Sequence, residues 1–187
     1  MSELVFWLIR HGESTWNAAG RWQGHADPPL TSRGREQVAE LAVELHGGGI
    51  ELLVASDLAR TRQTASILGQ HLGLEPRYDG GLREIDAGLW SGLSRAEIVQ
   101  RDAAALARFD SGDPEAPAGG AESRRQASRR ARRVLAGLRA SRPDAGVAVV
   151  THSGVIESLL PGSRVAHAGW TVARAETLFP ASEGAQR

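Results

Sequence analysis

Arg10, His11 and Gly12 follow directly on an apolar run, Leu4 to Ile9, near the start of the chain, and Thr151, His152, Ser153 and Gly154 follow directly on another, Val147 to Val150. Each run has the length of a buried strand and ends in a histidine-bearing turn, where glycine lets the backbone change direction. Ligands of open α/β sheets sit at such strand ends. If the two strands are neighbours, both imidazoles converge on one crevice. Arg10 and Arg60 offer planar guanidinium forks that bind phosphate oxygens bidentately and stay charged at any working pH. Glu84 adds a carboxyl group. Cleaving a phosphate monoester needs a nucleophile, positive charge on the oxygens and an acid for the leaving group. His11 supplies the first as a neutral imidazole, provided its other nitrogen is pinned as a donor, for instance to a backbone carbonyl. Arg10, Arg60 and a His152 driven toward its protonated form by the nearby phosphate supply the second. Glu84 supplies the third, giving a proton to the leaving oxygen and then taking one from the attacking water.

The elements that must position these groups alternate strand and helix. After the first strand, Thr31 reads as the N-cap of a helix carrying Val38, Leu41, Ala42 and Leu45 at helical spacing, stopped by Gly47 to Gly49. Leu52 to Ala55 is a second strand, and Ser56-Asp57 is expected to open a helix running to about Leu72, with Gly73 as its stop. Ser94 and Glu97 form a capping-box pattern. Residues 110–121, rich in Asp, Gly, Pro and Ala, read as a flexible insert, and a long helix from about Glu122 to Ala140 buries Ala127, Ala131, Val134, Leu135 and Leu138. A short helix follows the 147–150 strand, and Thr171 to Ala175 is a possible edge strand. This order predicts an α/β three-layer sandwich: a mostly parallel central sheet with helices on both faces, in one domain spanning 1–187.

The bulk numbers exclude several classes. With 187 residues the chain suits one domain, and its zero formal net charge gives no field for a dedicated nucleic-acid or membrane-surface binder. It has no cysteine, hence no disulfide, no zinc–thiolate site and no cysteine nucleophile. It has no lysine either, which removes a P-loop lysine and Schiff-base chemistry. No apolar run reaches membrane-spanning length, and Met1-Ser2-Glu3 leads straight into the first strand without a basic region. The expectation is a cytoplasmic protein.

The motifs together resemble the histidine phosphatase superfamily, also called phosphoglycerate mutase-like. They are Arg10-His11-Gly12-Glu13 with Trp16-Asn17, Gln23-Gly24 with Asp27 to Thr31 and Gly34, and Ser56 to Thr61 with Thr64-Ala65. Then come Leu82-Arg83-Glu84 with Gly88, Trp90 and Gly92, Gly119-Gly120 with Glu122-Ser123, and Val150 to Gly154. The resemblance implies that His11 becomes a phosphohistidine and that Glu84 is the proton donor. It places Arg10, Arg60 and His152 around the phosphate with Asn17, and adds Gln23, Gly24 and Ser153 as substrate contacts. It implies neither metal nor cofactor. Two features depart from the family pattern. Pro161-Gly162-Ser163 stands where relatives usually place a further helix, so the region after 160 is shortened, and Ser153 occupies a position that is often glycine.

The resemblance favours the phosphatase branch, near broad-specificity and α-ribazole phosphatases, acting on a small-molecule phosphate ester. Only a short insert separates Trp90 from the long helix, where mutases carry a longer segment. The alternatives are a cofactor-dependent phosphoglycerate mutase and a non-catalytic phospho-ligand sensor. Thr151-His152-Ser153-Gly154 is not a serine-hydrolase elbow, because Thr151 replaces the glycine two positions before the serine. Arginines 124, 125, 129, 130, 132 and 133 wrap their helix outside the apolar stripe without interleaved aromatics, and read as a solvated face rather than a nucleic-acid site. His25, His46, His71 and His167 lack metal-ligand spacing, though His25 is a candidate for the pocket entrance. Trp16 and Trp22 are candidates to stack on a substrate, and Arg83 is the obvious ion-pair partner for Glu84.

Overall fold

The computed structural model describes residues 4–179. The reading of Met1 to Glu3, and the extent of the domain past residue 179, lie outside them. Seven strands and seven helices are named in chain order: β1 Val5–Arg10, α1 Thr15–Ala18, α2 Ser32–Glu44, β2 Ile50–Ala55, α3 Ala59–Leu72, β3 Arg77–Tyr78, α4 Arg95–Asp110, β4 Pro117–Ala118, β5 Glu122–Ser123, α5 Arg124–Ser141, β6 Gly146–Thr151, α6 Ser153–Leu159, β7 Trp170–Arg174 and α7 Ala175–Leu178. The central sheet runs β3-β2-β6-β1-β7. All its pairs are parallel except β1–β7. β7 is the edge strand expected at 171–175.

The alternation of side chains along β1 sends Phe6 and Leu8 to one face and Ile9 to the other. Phe6 and Leu8 join Leu52, Val54, Val147 and Val149 under Ala131 and Leu135 of α5 and Val155, Ile156 and Leu159 of α6. Ile9 joins Leu53, Ala55, Ala148 and Val150 under Val38, Leu41 and Ala42 of α2 and Ala65 and Leu68 of α3. Each fully buried aliphatic side chain contributes about 1.5–3 kcal/mol, so both faces of the sheet are held and its strand ends are fixed relative to one another. No helix among the described residues is long and apolar enough to cross a membrane.

Three expectations are corrected in detail. The N-cap of α3 is Leu58, which has no side chain to offer; the Asp27 carboxylate accepts the hydrogen bond from Ala59 N instead. Ser56 is thereby left for another use. The long helix starts at Arg124 rather than Glu122, because Ser123 caps it reciprocally with Gln126. Within segment 110–121, residues 116–119 are packed into the fold, while Asp110 to Gly112, Pro114 and Glu115 are exposed. Ala116 and Ala118 are buried with Trp90, Ile98, Leu106 and Phe109 in a third apolar cluster, and β4 pairs antiparallel with β5. Proline and glycine there encode turns within a packed wall, which composition alone does not distinguish from a loose loop. No helix forms between Leu160 and Trp170.

Candidate active site

β1 and β6 are hydrogen-bonded neighbours with Arg10 opposite Thr151, so His11 and His152 leave the sheet side by side. Their ring centroids lie 5.1 Å apart. His11 Nδ1 is 2.7 Å from the carbonyl oxygen of Gly12. A carbonyl only accepts, so Nδ1 carries the proton and Nε2 keeps its lone pair. That is the tautomer that attack on phosphorus requires. The turn has no room to spare: a Cβ on Gly12 would lie 2.4 Å from Gly34 O, and one on Gly34 would lie 2.1 Å from Glu13 O.

Arg60, in the first turn of α3, is fully buried. Its Nη1 donates to Ala26 O at 2.8 Å and its Nη2 to Gly24 O at 2.9 Å. Arg10 Nη1 donates to Val165 O at 2.9 Å, and Arg10 Nη2 donates to His167 Nε2 at 2.7 Å. Neither guanidinium touches a carboxylate among the described ion pairs. Burying a charge in that state costs several kcal/mol. Burial lowers the Arg60 pKa to about 10, with Glu84 and Asp27 opposing, so the group stays charged at neutral pH. Burial likewise lowers Arg10 against the opposing charge of Glu84.

His152 sits over Ser56, with Nε2 3.0 Å from the Ser56 hydroxyl. Burial first, then the charge of Arg60, holds both His11 and His152 well below the ordinary imidazole range. In the protein by itself both rings are neutral. The proton expected on His152 beside a phosphate therefore has to come with the anion, whose negative charge reverses the effect of Arg60. Arg10 Nε, Arg60 Nε and His152 Nδ1 are all buried without a hydrogen-bond partner. Orphaned buried polar groups are rare because each costs about 1–3 kcal/mol. Here three of them accompany one potential nucleophile.

Glu84 stands at the edge of this floor. Its Oε1 accepts from Ile85 N at 2.9 Å and its Oε2 from Gly154 N at 3.3 Å. A Cβ on Gly154 would lie 2.5 Å from Glu84 Oε1, so only glycine lets the carboxylate approach there. The Glu84 backbone carbonyl accepts from His25 Nε2 at 2.9 Å and from Arg130 Nη2 at 2.7 Å. Arg83, the expected ion-pair partner of Glu84, instead grips Asp57 with two bonds of 2.7 and 2.6 Å.

A cleft of about 300 Å³ opens from Asn17, Gln23, Gly24, Glu84, Ser153 and Gly154 outward to Trp22, Phe109, Arg124 and Glu157. Ser14 N donates to Asn17 Oδ1 at 3.1 Å and the Ser14 hydroxyl donates its one proton to Gln23 Oε1 at 2.7 Å, which leaves the NH₂ ends of both amides to offer to a ligand. Thus the structure brings together the catalytic and substrate-contact candidates named from the sequence: Arg10, His11, Arg60 and His152 in the floor, Glu84 at its edge, and Asn17, Gln23, Gly24 and Ser153 around the mouth. Trp22 lines the cleft, whereas Trp16 does not. Two residues escaped the sequence reading: Arg130, which holds the backbone of Glu84, and His167, which joins Arg10. His25, the candidate for the pocket entrance, instead bonds the Glu84 carbonyl and does not line the cleft. Arg130 had a signal, since it lies three after Ala127 and four before Val134 and so borders the apolar stripe. It is not part of a solvated face: it also pairs with Glu122 at 2.7 Å and bonds Gly81 O at 3.0 Å. His167, on an irregular loop, had none. Among the described residues no group of three or more His, Asp or Glu side chains is placed to hold a metal ion.

A doubly faced α/β sheet thus brings two histidines from paired strand ends beside Arg10 and the buried Arg60 of α3. The family model of the histidine phosphatase superfamily (branch 1) matches residues 6–169, and the chain belongs to that superfamily. Solved structures agree with this. A mycobacterial glucosyl-3-phosphoglycerate phosphatase is 34% identical, with a TM-score of 0.84 over 90% of both chains. A putative α-ribazole-5'-P phosphatase from Escherichia coli is 30% identical, with a TM-score of 0.78 over 91% of this chain and 90% of that one. Among curated proteins, the probable phosphoglycerate mutase GpmB of Salmonella paratyphi B is 33% identical over 133 residues. That match covers 71% of this chain and 62% of the relative's length.

Proposed function

We propose that this chain hydrolyses small-molecule phosphate monoesters through a covalent phosphohistidine on His11. The observation that carries the reading is the set of three unpartnered buried nitrogens, Arg10 Nε, Arg60 Nε and His152 Nδ1, beside an imidazole whose tautomer is fixed for attack. In this mechanism His11 Nε2 forms a bond to phosphorus as the ester P–O bond breaks, and Glu84 gives its proton to the departing alkoxide. Water then attacks phosphorus, Glu84 takes the water's proton, and the N–P bond breaks to release phosphate. The arginines and His152 neutralise the equatorial oxygens throughout. No step needs a metal or a cofactor.

Phosphatase is preferred to mutase because the cleft is open beside Glu84, whereas a mutase has to keep water from the phosphohistidine. The similarity to solved phosphatases, one of them a putative one, supports the same choice. The test is phosphate release, with excess EDTA, from a panel including 3-phosphoglycerate, glucosyl-3-phosphoglycerate and α-ribazole phosphate, together with rapid-quench detection of phosphohistidine. Chelator-resistant release with a quenched phosphoenzyme, both lost in His11→Ala at unchanged Tm, is the expected result. Isomerisation of 3-phosphoglycerate outpacing release identifies a mutase. Binding without any phosphoenzyme identifies a sensor.

A further inference from the structure

Among the described residues, His167 is the one side chain hydrogen-bonded to a floor guanidinium without a role in the chemistry above. It lies on the 161–169 loop, which crosses back to the nucleophile's strand. Ala168 N donates to His11 O at 3.1 Å, and Arg10 N donates to Gly169 O at 3.0 Å. Ala168 holds a φ of +52°, the one positive φ outside glycine among the described residues. A non-glycine residue pays a steric cost in that conformation, and keeps it where the surroundings demand it. The strained residue is thus the one between His167 and the Gly169 carbonyl that Arg10 N binds.

The contact itself has a definite polarity. A guanidinium can only donate, so at 2.7 Å His167 Nε2 must be the acceptor and the ring must be neutral. Val165 O takes the other terminal nitrogen of Arg10. One loop therefore captures both Nη atoms and leaves Nε as the unpartnered donor. Arg60 shows the same plan with different parts, because Ala26 O and Gly24 O take its Nη atoms. At Arg10 one of those carbonyls is replaced by an imidazole. An imidazole, unlike a carbonyl, ceases to accept when it is protonated.

We infer that His167 is a positioning residue for the phosphate site: as a neutral acceptor it fixes the Arg10 fork so that Nε faces the phosphoryl group, and acid releases the fork. The inference rests on the phosphatase reading of the site. The charged groups facing His167 are Arg10 of β1, Arg33 of α2 and Glu13 of the turn between them, with the His11 ring 6.3 Å away between centroids. Burial, then Arg10, hold its pKa down to about 4, with Glu13 opposing. At neutral pH the acceptor is therefore intact, and it fails as the pH approaches 4.

Inorganic phosphate is the probe, its affinity measured by calorimetry at pH 7 and its competitive inhibition of hydrolysis measured alongside. His167→Ala should weaken phosphate binding and lower kcat/KM by roughly tenfold to a hundredfold, the loss expected for one hydrogen bond to a charged group. His167→Gln keeps an acceptor oxygen that does not titrate, and should recover most of that loss. The ratio of kcat/KM for the glutamine variant to that for wild type should then rise as the pH falls from 6 toward 4. The ratio cancels the titration of the substrate and of the other site groups. Wild type and His167→Ala binding phosphate equally well, or a glutamine-to-wild-type ratio flat with pH, would overturn the inference and leave the phosphatase reading standing. Wild type that neither binds phosphate nor hydrolyses any ester would overturn both.

Discussion

The phosphate floor and the outer cleft wall are built on different plans. The floor is made of residues that follow directly on parallel strands or open a helix: Arg10 and His11 after β1, His152 after β6, Arg60 in the first turn of α3. The side chains of His11, Arg60 and His152 are buried and that of Arg10 partly so, and their polar atoms are held by short contacts such as His11 Nδ1 to Gly12 O. The wall is assembled from segments distant in sequence: Trp22, Phe109 at the end of α4, Ala118 of β4, Arg124 of α5 and Glu157 of α6. Its polar contacts are exposed or half-exposed. Arg124 Nη1 donates to Phe109 O at 2.7 Å while its guanidinium lies 3.8 Å from the centre of the Phe109 ring, and Glu157 is 4.0 Å away. Preorganised charge in a buried floor is where transition-state stabilisation is large. An exposed wall selects the leaving group by modest increments. The two regions should thus differ both in how much a substitution costs and in what it changes.

The largest effects belong to the floor and its edge. Glu84→Gln keeps the shape and the backbone contacts but removes the transferable proton, so kcat should fall by about 10²–10⁴ for an alkyl phosphate. The loss should shrink markedly for p-nitrophenyl phosphate, whose leaving group departs without a proton. An equal loss on both esters would mean that Glu84 acts by charge or packing and not as the acid. Arg130→Met offers the matching control, since it withdraws the donor to the Glu84 carbonyl without touching the carboxylate. Its defect should appear with both esters.

A smaller effect, read as stability, separates the floor from the surface. His11, His152 and His167 have pKa values below the ordinary imidazole value in the folded protein. The unfolded chain therefore takes up protons first as the pH falls. Stability is complete above about pH 6.5 and is lost below it, at up to about 1.4 kcal/mol per pH unit for each buried histidine. Urea unfolding at pH 7.5 and 5.0 should show this fall, and His11→Gln should reduce it by about one proton's worth. Saturating phosphate should offset the loss, because the anion favours the protonated ring. A slope that does not change in His11→Gln would show that the ring takes up its proton as readily in the folded protein as in the unfolded chain.

The same contrast explains what was legible in the sequence. Arg10, His11 and His152 could be read because each follows directly on an apolar run of strand length, and local pattern identifies those places. Arg60, Glu84 and the mouth residues Asn17, Gln23, Gly24 and Ser153 were reached through the motifs that surround them. The mostly parallel character of the central sheet followed from the alternation of apolar runs and helical spacing, whereas its strand order is known only from the structure. What stayed hidden is non-local. The cap of α3 comes from Asp27, more than thirty positions upstream. The packing of 110–121 depends on a cluster drawn from Ile85 to Ala127. His167 gains its role only because β7 returns antiparallel beside β1 and brings the preceding loop onto Arg10.

The smallest effect expected is at the wall, and it is an effect on choice. Arg124 sits at the first position of α5, and its guanidinium lies over the Phe109 ring with Glu157 beyond it. Arg124→Gln removes the charge and leaves an amide that can still bond Phe109 O. Hydrolysis of p-nitrophenyl phosphate, whose ring has no anionic group to offer, should change by threefold or less. Esters whose alcohol carries a carboxylate should lose more, by roughly the tenfold that one partly exposed charged contact is worth. The measurement is kcat/KM for a matched pair such as glycerol 3-phosphate and 3-phosphoglycerate in both proteins. If both esters fall together by a hundredfold, Arg124 belongs to the floor's machinery and the division drawn here fails. If their ratio moves while the p-nitrophenyl ester does not, the wall is where this chain discriminates among the phosphate esters that its floor would otherwise treat alike.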